Sequence, residues 1–284
     1  VQLTDQSEAD SAITRQLRYL IKAMHGLYPS LGGQEETGAI APEETRPEDL
    51  ADDEAAKSST APTLPLSGYD VIYAPWNSLQ RCNLTTYEQL AEALHNGSLL
   101  LVSASPDEVG IAELYHLQAE LQLALDNTGA NDDLTSLRSS IEAELNAFNH
   151  DIDSRIQELI QSLQTIATML HHPLQGDGKI DAFHPLRLEP FLFSQLPTVE
   201  GCPVTVRLWG PILLVIGDLA RQWGPDETLS HSRETIRSAQ ELGINLLHFA
   251  WRQRHLTQLQ GNPFRPGLPP TPDSLRDRIP GTEA

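Results

Sequence analysis

Hydrophobic positions along the chain fall into blocks of different period. Between Ser7 and Tyr28, Ile13, Leu17, Leu20, Ile21, Met24 and Leu27 recur at helical spacing, which predicts an amphipathic helix with one apolar face. The pattern stops at Pro29. Up to Ser67 the chain carries Glu35, Glu36, Glu43, Glu44, Glu48, Asp49, Asp52, Asp53 and Glu54 among Gly, Pro, Ser and Thr. Such a stretch buries too little apolar area to offset its ordering entropy, so the expectation is a disordered acidic linker.

Ordered patterning resumes near Tyr69. Asp70–Tyr73 reads as a short strand ended by Pro75, and Leu99–Ser103 as a short buried strand or an extended turn. Between them, Thr85 to Glu88 reads as a capping box opening a short helix that stops at Asn96-Gly97. Ser105-Pro106-Asp107-Glu108 has a cap, a proline at the first helical position and a glutamate three beyond the cap. It predicts a helix running to about Asp126.

The strongest periodic signal follows. From Asp132 to Leu170 there is no glycine or proline, and Leu134, Leu137, Ile141, Leu145, Phe148, Ile152, Ile156, Leu159, Leu163, Ile166 and Leu170 step by threes and fours. This is close to a heptad seam. A tight turn joins it to a neighbour bearing Leu114, Leu117, Leu121 and Leu125, so a helical hairpin is expected, with a parallel coiled-coil dimer as its rival. Pro203–Trp209 alternates like a strand, Pro211 to about Trp223 reads as a helix, and Pro225 to Leu259 as the last long helix. The six prolines from Pro263 to Pro280 predict a disordered tail.

The resulting fold class is mainly α: a helical bundle with a long coiled-coil-like hairpin and a small β element. The expected divisions are a tethered helix at 1–28, a linker at 29–67, a helical body at 68–262 and a tail at 263–284.

Charge narrows the partners. The formal net charge is −20, and only Lys22, Lys57 and Lys179 are lysine among 19 basic residues. Such a surface repels phosphate backbones and anionic lipid, which argues against nucleic acid and membrane surfaces. The apolar run from Val204 to Leu219 is too short and too interrupted to span a bilayer, so no membrane insertion is expected. Two cysteines, Cys82 and Cys202, with no metal-ligand spacing point to a reducing compartment, and the expected location is cytoplasmic.

Candidate chemistry is sparse. The segment Leu174–Pro185 has the sound of a calcium loop, with Asp177 and Gly178 at the fifth and sixth positions. Pro173 then stands at the first position, Gln175 at the third and His184 at the twelfth, where oxygen ligands are needed, and His184-Pro185 is not expected to open a helix. The loop reads as a polar turn. It also gathers His171, His172, Asp177, Asp181 and His184, a set of ligand types suited to zinc or iron but with no rigid element to hold it. Glu92–His95 and Glu113–His116 are both Glu-x-x-His, the spacing used by carboxylate-bridged metal bundles. Ile244, His248, Trp251 and His255 form a stripe on the last helix, which Trp209 and Trp223 could extend. No phosphate-binding loop, dinucleotide motif, nucleophile elbow or Cys-x-x-Cys is present.

The leading expectation is a non-enzymatic interaction protein without a cofactor: an adaptor, scaffold or assembly factor. It would dock the face of Ile13, Leu17, Leu20, Ile21 and Met24 on a partner protein offering a basic or apolar groove. The alternatives are a helical metalloprotein or metalloenzyme using Glu92, His95, Glu113 and His116, and a structural subunit of a large assembly, with homo-oligomers within range.

Overall fold

The computed structural model describes residues 66–127, 135–223 and 232–260, together with Gln16, Tyr19 and Leu20. The rest of residues 1–65, with most of the predicted N-terminal helix and the linker, the hairpin turn at 128–134, residues 224–231 and the proline-rich tail at 261–284 lie outside the described residues.

The fold is mixed α/β, which corrects the helical-bundle expectation. Although 62 % of the described residues are helical, the centre is a four-stranded sheet. Its strands are β1 (Val71–Pro75), β2 (Leu99–Ala104), β5 (Thr205–Trp209) and β6 (Ile212–Ile216), in spatial order β1-β2-β6-β5. β1, β2 and β6 run parallel, and β5 closes one edge antiparallel to β6. A separate two-residue pair, β3 (Thr198–Val199) with β4 (Cys202–Pro203), turns through Glu200 and Gly201. The helices are α1 (Trp76–Gln80), α2 (Leu84–His95), α3 (Pro106–Val109), α4 (Ala112–Asn127), α5 (Thr135–Met169), α6 (Pro185–Leu188) and α7 (Arg233–Leu259).

The Pro211–Trp223 segment shows why the sequence misleads. Ile212–Ile216 is a central strand, every residue of it buried, and only Leu219–Gln222 is helical, as a 3-10 turn. A strand covered on both faces has no alternation, so an unbroken apolar run reads equally well as a buried helix. β2 is sealed in the same way: Leu100, Val102 and Ala104 face one side, Leu99 and Leu101 the other.

Two cores result, one on each face. Ile72, Ala74, Leu100, Val102, Ile212 and Leu214 pack beneath α2 and the later part of α5, through Leu90, Leu94, Ile156, Leu159, Leu163 and Ile166. On the other face Tyr73, Leu101, Leu213 and Val215 pack beneath α7, through Ala239, Leu242 and Leu246. The molecule is thus a helix–sheet–helix sandwich. Trp209 lies in the first core and Trp223 in the second, so the two do not share a cluster.

Local caps follow the sequence with small shifts. Ser105 and Glu108 close the expected capping box, but α3 ends after one turn because Gly110 enters the left-handed region at φ 73°, and α4 starts anew. α2 is capped by Asn83, whose side chain accepts from Thr86 N, rather than by Thr85. His184 does cap a helix: its Nδ1 accepts from Leu186 N, and Pro185 opens the short α6.

The calcium-like loop has a structural task. Gly178 O accepts from Leu208 N at 2.8 Å, and Lys179 bridges Arg207, so the loop extends the sheet beyond β5. Gly178 is required there: its φ is +63°, and a Cβ would come within 2.3 Å of the Trp209 ring. The carboxylates of Asp177 and Asp181 accept from Lys179 N and Phe183 N, which closes turns within the loop.

Candidate functional site

α4 and the first half of α5 make an antiparallel pair that extends past the sheet. At about 1.5 Å per residue α5 is about 52 Å long. Its later residues Ile152, Ile156, Leu159, Leu163 and Ile166 supply the first core, whereas Ile141 and Leu145 are buried outside both cores. The register is set at the base by Gly110, which lies against the Arg155 guanidinium, and further out by Gln118 Nε2 donating to Asn149 Oδ1 at 2.9 Å. The resulting arm has a thin interior. No residue of the 16 in α4 is buried, Leu117 is 38 % exposed, Leu137 48 % and Leu123 63 %.

The carboxyl ends of β1, β2 and β6 form a second candidate, because open parallel sheets bind ligands at that edge. Tyr73, Ser103, Leu219, Trp223 and Leu246 pack there around a gap too narrow to admit a water molecule. Burial pushes the Tyr73 phenol up to about 12, against a hydrogen bond with Ser103 that favours the ionised form. Nearby, burial raises the Asp218 pKa despite Arg221, and Glu200, Asp107 and Glu108 raise it further. Burial also raises the Cys202 thiol, reinforced by Asp107, Glu200 and Asp218. Nucleophilic thiols need the opposite field, one that favours the thiolate. This edge therefore shifts the Tyr73 phenol, the Asp218 carboxyl and the Cys202 thiol toward their protonated forms, and neither cysteine forms a disulfide.

Of the predicted docking face, Leu20 is described and is buried in the second core, next to Trp223 and Gly243. Gln16 Nε2 of the same helix donates to Arg221 O. Ile13, Leu17, Ile21 and Met24 lie outside the described residues. Glu92 and His95 sit on α2, with His95 near His172, whereas Glu113 and His116 sit on α4, with His116 against Gly201 in the β3–β4 turn. Among the described residues, no three His, Cys, Asp or Glu side chains gather closely enough to hold a metal ion. The α7 stripe is real as geometry: Ile244 is buried, and the Trp251 ring lies between His248 at 6.3 Å and His255 at 5.5 Å.

Sequence reasoning missed Asn245. It is fully buried in α7, where its Nδ2 donates to Leu186 O and Phe191 O and its Oδ1 accepts from Phe191 N. The one signal was a polar residue inside the apolar run Gly243-Ile-Asn-Leu-Leu247.

The histidines make stability pH-dependent. Burial lowers the His172 pKa, helped by His95 and His171, and burial lowers that of His184 against Asp181. The unfolded chain therefore takes up protons first as pH falls. Folded-state stability is fullest above about 6.5 and declines as pH drops through the depressed values. Protonating His184 Nδ1 also removes the cap of α6. Asp218, with its raised pKa, works in the opposite sense, its contribution being fullest at low pH and lost as pH rises. Urea midpoints should fall between about pH 7 and pH 5, and the double variant His172→Gln, His184→Asn should flatten the slope. An unchanged slope would place its origin elsewhere.

No protein-family model, no curated protein and no solved structure matches this chain. Among the described residues, no helix is long and apolar enough to cross a membrane.

Proposed function

We propose that this protein is a non-enzymatic interaction protein, an adaptor, scaffold or assembly factor, that docks a partner protein on the arm made by α4 and the first half of α5. The observation carrying this reading is that α4 buries none of its residues while Leu117 and Leu137 stand exposed beside its seam with α5. A two-helix pair outside the main core has little interior of its own, and a third helix would complete it. The N-terminal helix is the weaker candidate, because Leu20 packs into its own body and a partner would have to displace it.

The test is co-purification of the full chain from its native cells, with the recovered partner quantified. Leu117→Asp with Leu137→Asp should lower recovery about tenfold or more, the effect of losing the burial of one or two leucines. Leu123→Asp, on the opposite side of α4, should leave recovery unchanged. Helical content by circular dichroism should match in all three proteins. Equal recovery with every variant would remove the arm as the docking element.

A further inference from the structure

The two flanks of the arm differ in chemistry, and the difference specifies an occupant. At about 100° per residue, Leu114, Leu121 and Leu125 of α4 point at α5, and Ile141, Leu145 and Ile152 of α5 point back. One flank of this seam is polar and self-satisfied: Gln118 bonds Asn149, and Arg138 pairs with Glu142 at 3.2 Å. The other flank carries Leu117 and Ala124 from α4, with Leu137 and Phe148 from α5. Along its rims stand Glu113, Glu120, Glu144 and Asp151, all exposed, with Arg155 as a basic residue at the base of the same flank. It is an apolar groove between two acidic rails.

We infer that this groove takes a basic amphipathic helix of another protein, its apolar stripe on Leu117, Ala124 and Phe148 and its lysines or arginines against the four carboxylates. This rests on the reading of the arm as the docking element and adds the chemistry of the partner. Charge makes the choice. A second copy would bring the same carboxylates to the same rails, in a chain of net charge −20, so self-pairing of the arms sets like charges opposite each other. A basic helix instead places its flanking cations where coiled-coil flanks place theirs, next to the apolar seam, and gains encounter rate from the field.

A synthetic leucine–lysine peptide patterned as an amphipathic helix of the arm's length is the probe, with a leucine–glutamate twin as comparison. Fluorescence anisotropy should show the basic peptide binding the full chain and the acidic twin failing to bind. Glu120→Lys with Glu144→Lys should weaken binding about tenfold, and Leu117→Asp should weaken it by a similar factor. Glu88→Lys with Glu158→Lys makes the same change in net charge away from the groove and should leave affinity within about twofold. Hydrogen exchange should slow in α4 and the first half of α5.

Equal weakening by the off-arm pair would reduce the binding to general attraction for cations and overturn the inference. So would equal binding of the acidic twin, or a doubled mass in solution that Leu117→Asp returns to the monomer. The co-purification test fails or succeeds separately. A native partner lost with Leu117→Asp and Leu137→Asp, beside a peptide that does not bind, would keep the arm and reject the basic helix.

Discussion

Asn245→Leu should lower the unfolding free energy by about 3 kcal/mol or more, the largest loss expected from any one polar side chain among the described residues. The reason lies in what the amide holds. The chain between α5 and β3 has little regular structure, yet its backbone is laid over α7, and buried backbone groups must be paired. Asn245 pairs three of them at once: Leu186 O at 3.0 Å, Phe191 O at 2.7 Å and Phe191 N at 3.0 Å. Leucine has similar volume and no polar atom, so it leaves two carbonyls and one amide without their partner. Each orphaned group costs about 1–3 kcal/mol, less whatever water recovers. Chemical denaturation measures the loss directly, and proteolysis should cut first in the loop that contains Phe191. Asn245→Asp separates the two roles of the side chain: it keeps the acceptor for Phe191 N and loses both donors. A denaturation midpoint unmoved by either substitution would show that the loop is held by Phe191 and Phe193 packing alone.

Leu20→Ala should cost about 2–5 kcal/mol, the range for emptying a closed core site. That is an unusual forecast for a residue separated from the next described segment by more than forty positions. It follows from the packing, because Leu20 is 1 % exposed and belongs to the core under α7. The groove that receives it depends on Gly243. A Cβ at that position would lie 2.5 Å from Trp223 Nε1 and 2.7 Å from Leu20 Cδ2. Trp223 in turn donates its indole N–H to Ala239 O and meets Tyr73 edge-on at 6.4 Å. Leu20, Gly243 and Trp223 therefore form one contact set, and Gly243→Ala and Leu20→Ala should be non-additive when combined. If Leu20→Ala left the denaturation midpoint unchanged, the N-terminal helix would be a free appendage after all. Its predicted role as a detachable docking element would then return.

Much of the outer structure was legible in order of residues. The long helix is there within a few residues of its expected ends because a seam of threes and fours over five heptads, without glycine or proline, admits little else. Its pairing with α4 follows from the matched leucines. β1 and β2 lie where short apolar runs between helix caps placed them, and the Ser105–Glu108 box closes as its spacing requires. These are local signals, written in periodicity and capping chemistry within a dozen residues.

The fold class and the candidate site were decided elsewhere. Whether Ile212–Ile216 is helix or strand depends on β2 and β5 lying on either side of it, with pairing from Leu100↔Ile212 to Thr205↔Ile216. A run that is apolar at every position carries no period to read. The calcium-like loop gains its role only because β5 offers an open edge at Arg207 and Leu208. Leu20 belongs to the body only because Gly243 leaves room for it, and Asn245 matters only because a distant loop crosses its helix. The sequence by itself determined the long helix α5, its pairing with α4 and the acidity of their surfaces. The tertiary structure decided which apolar faces are covered and which remain open, since burial depends on partners far away along the chain.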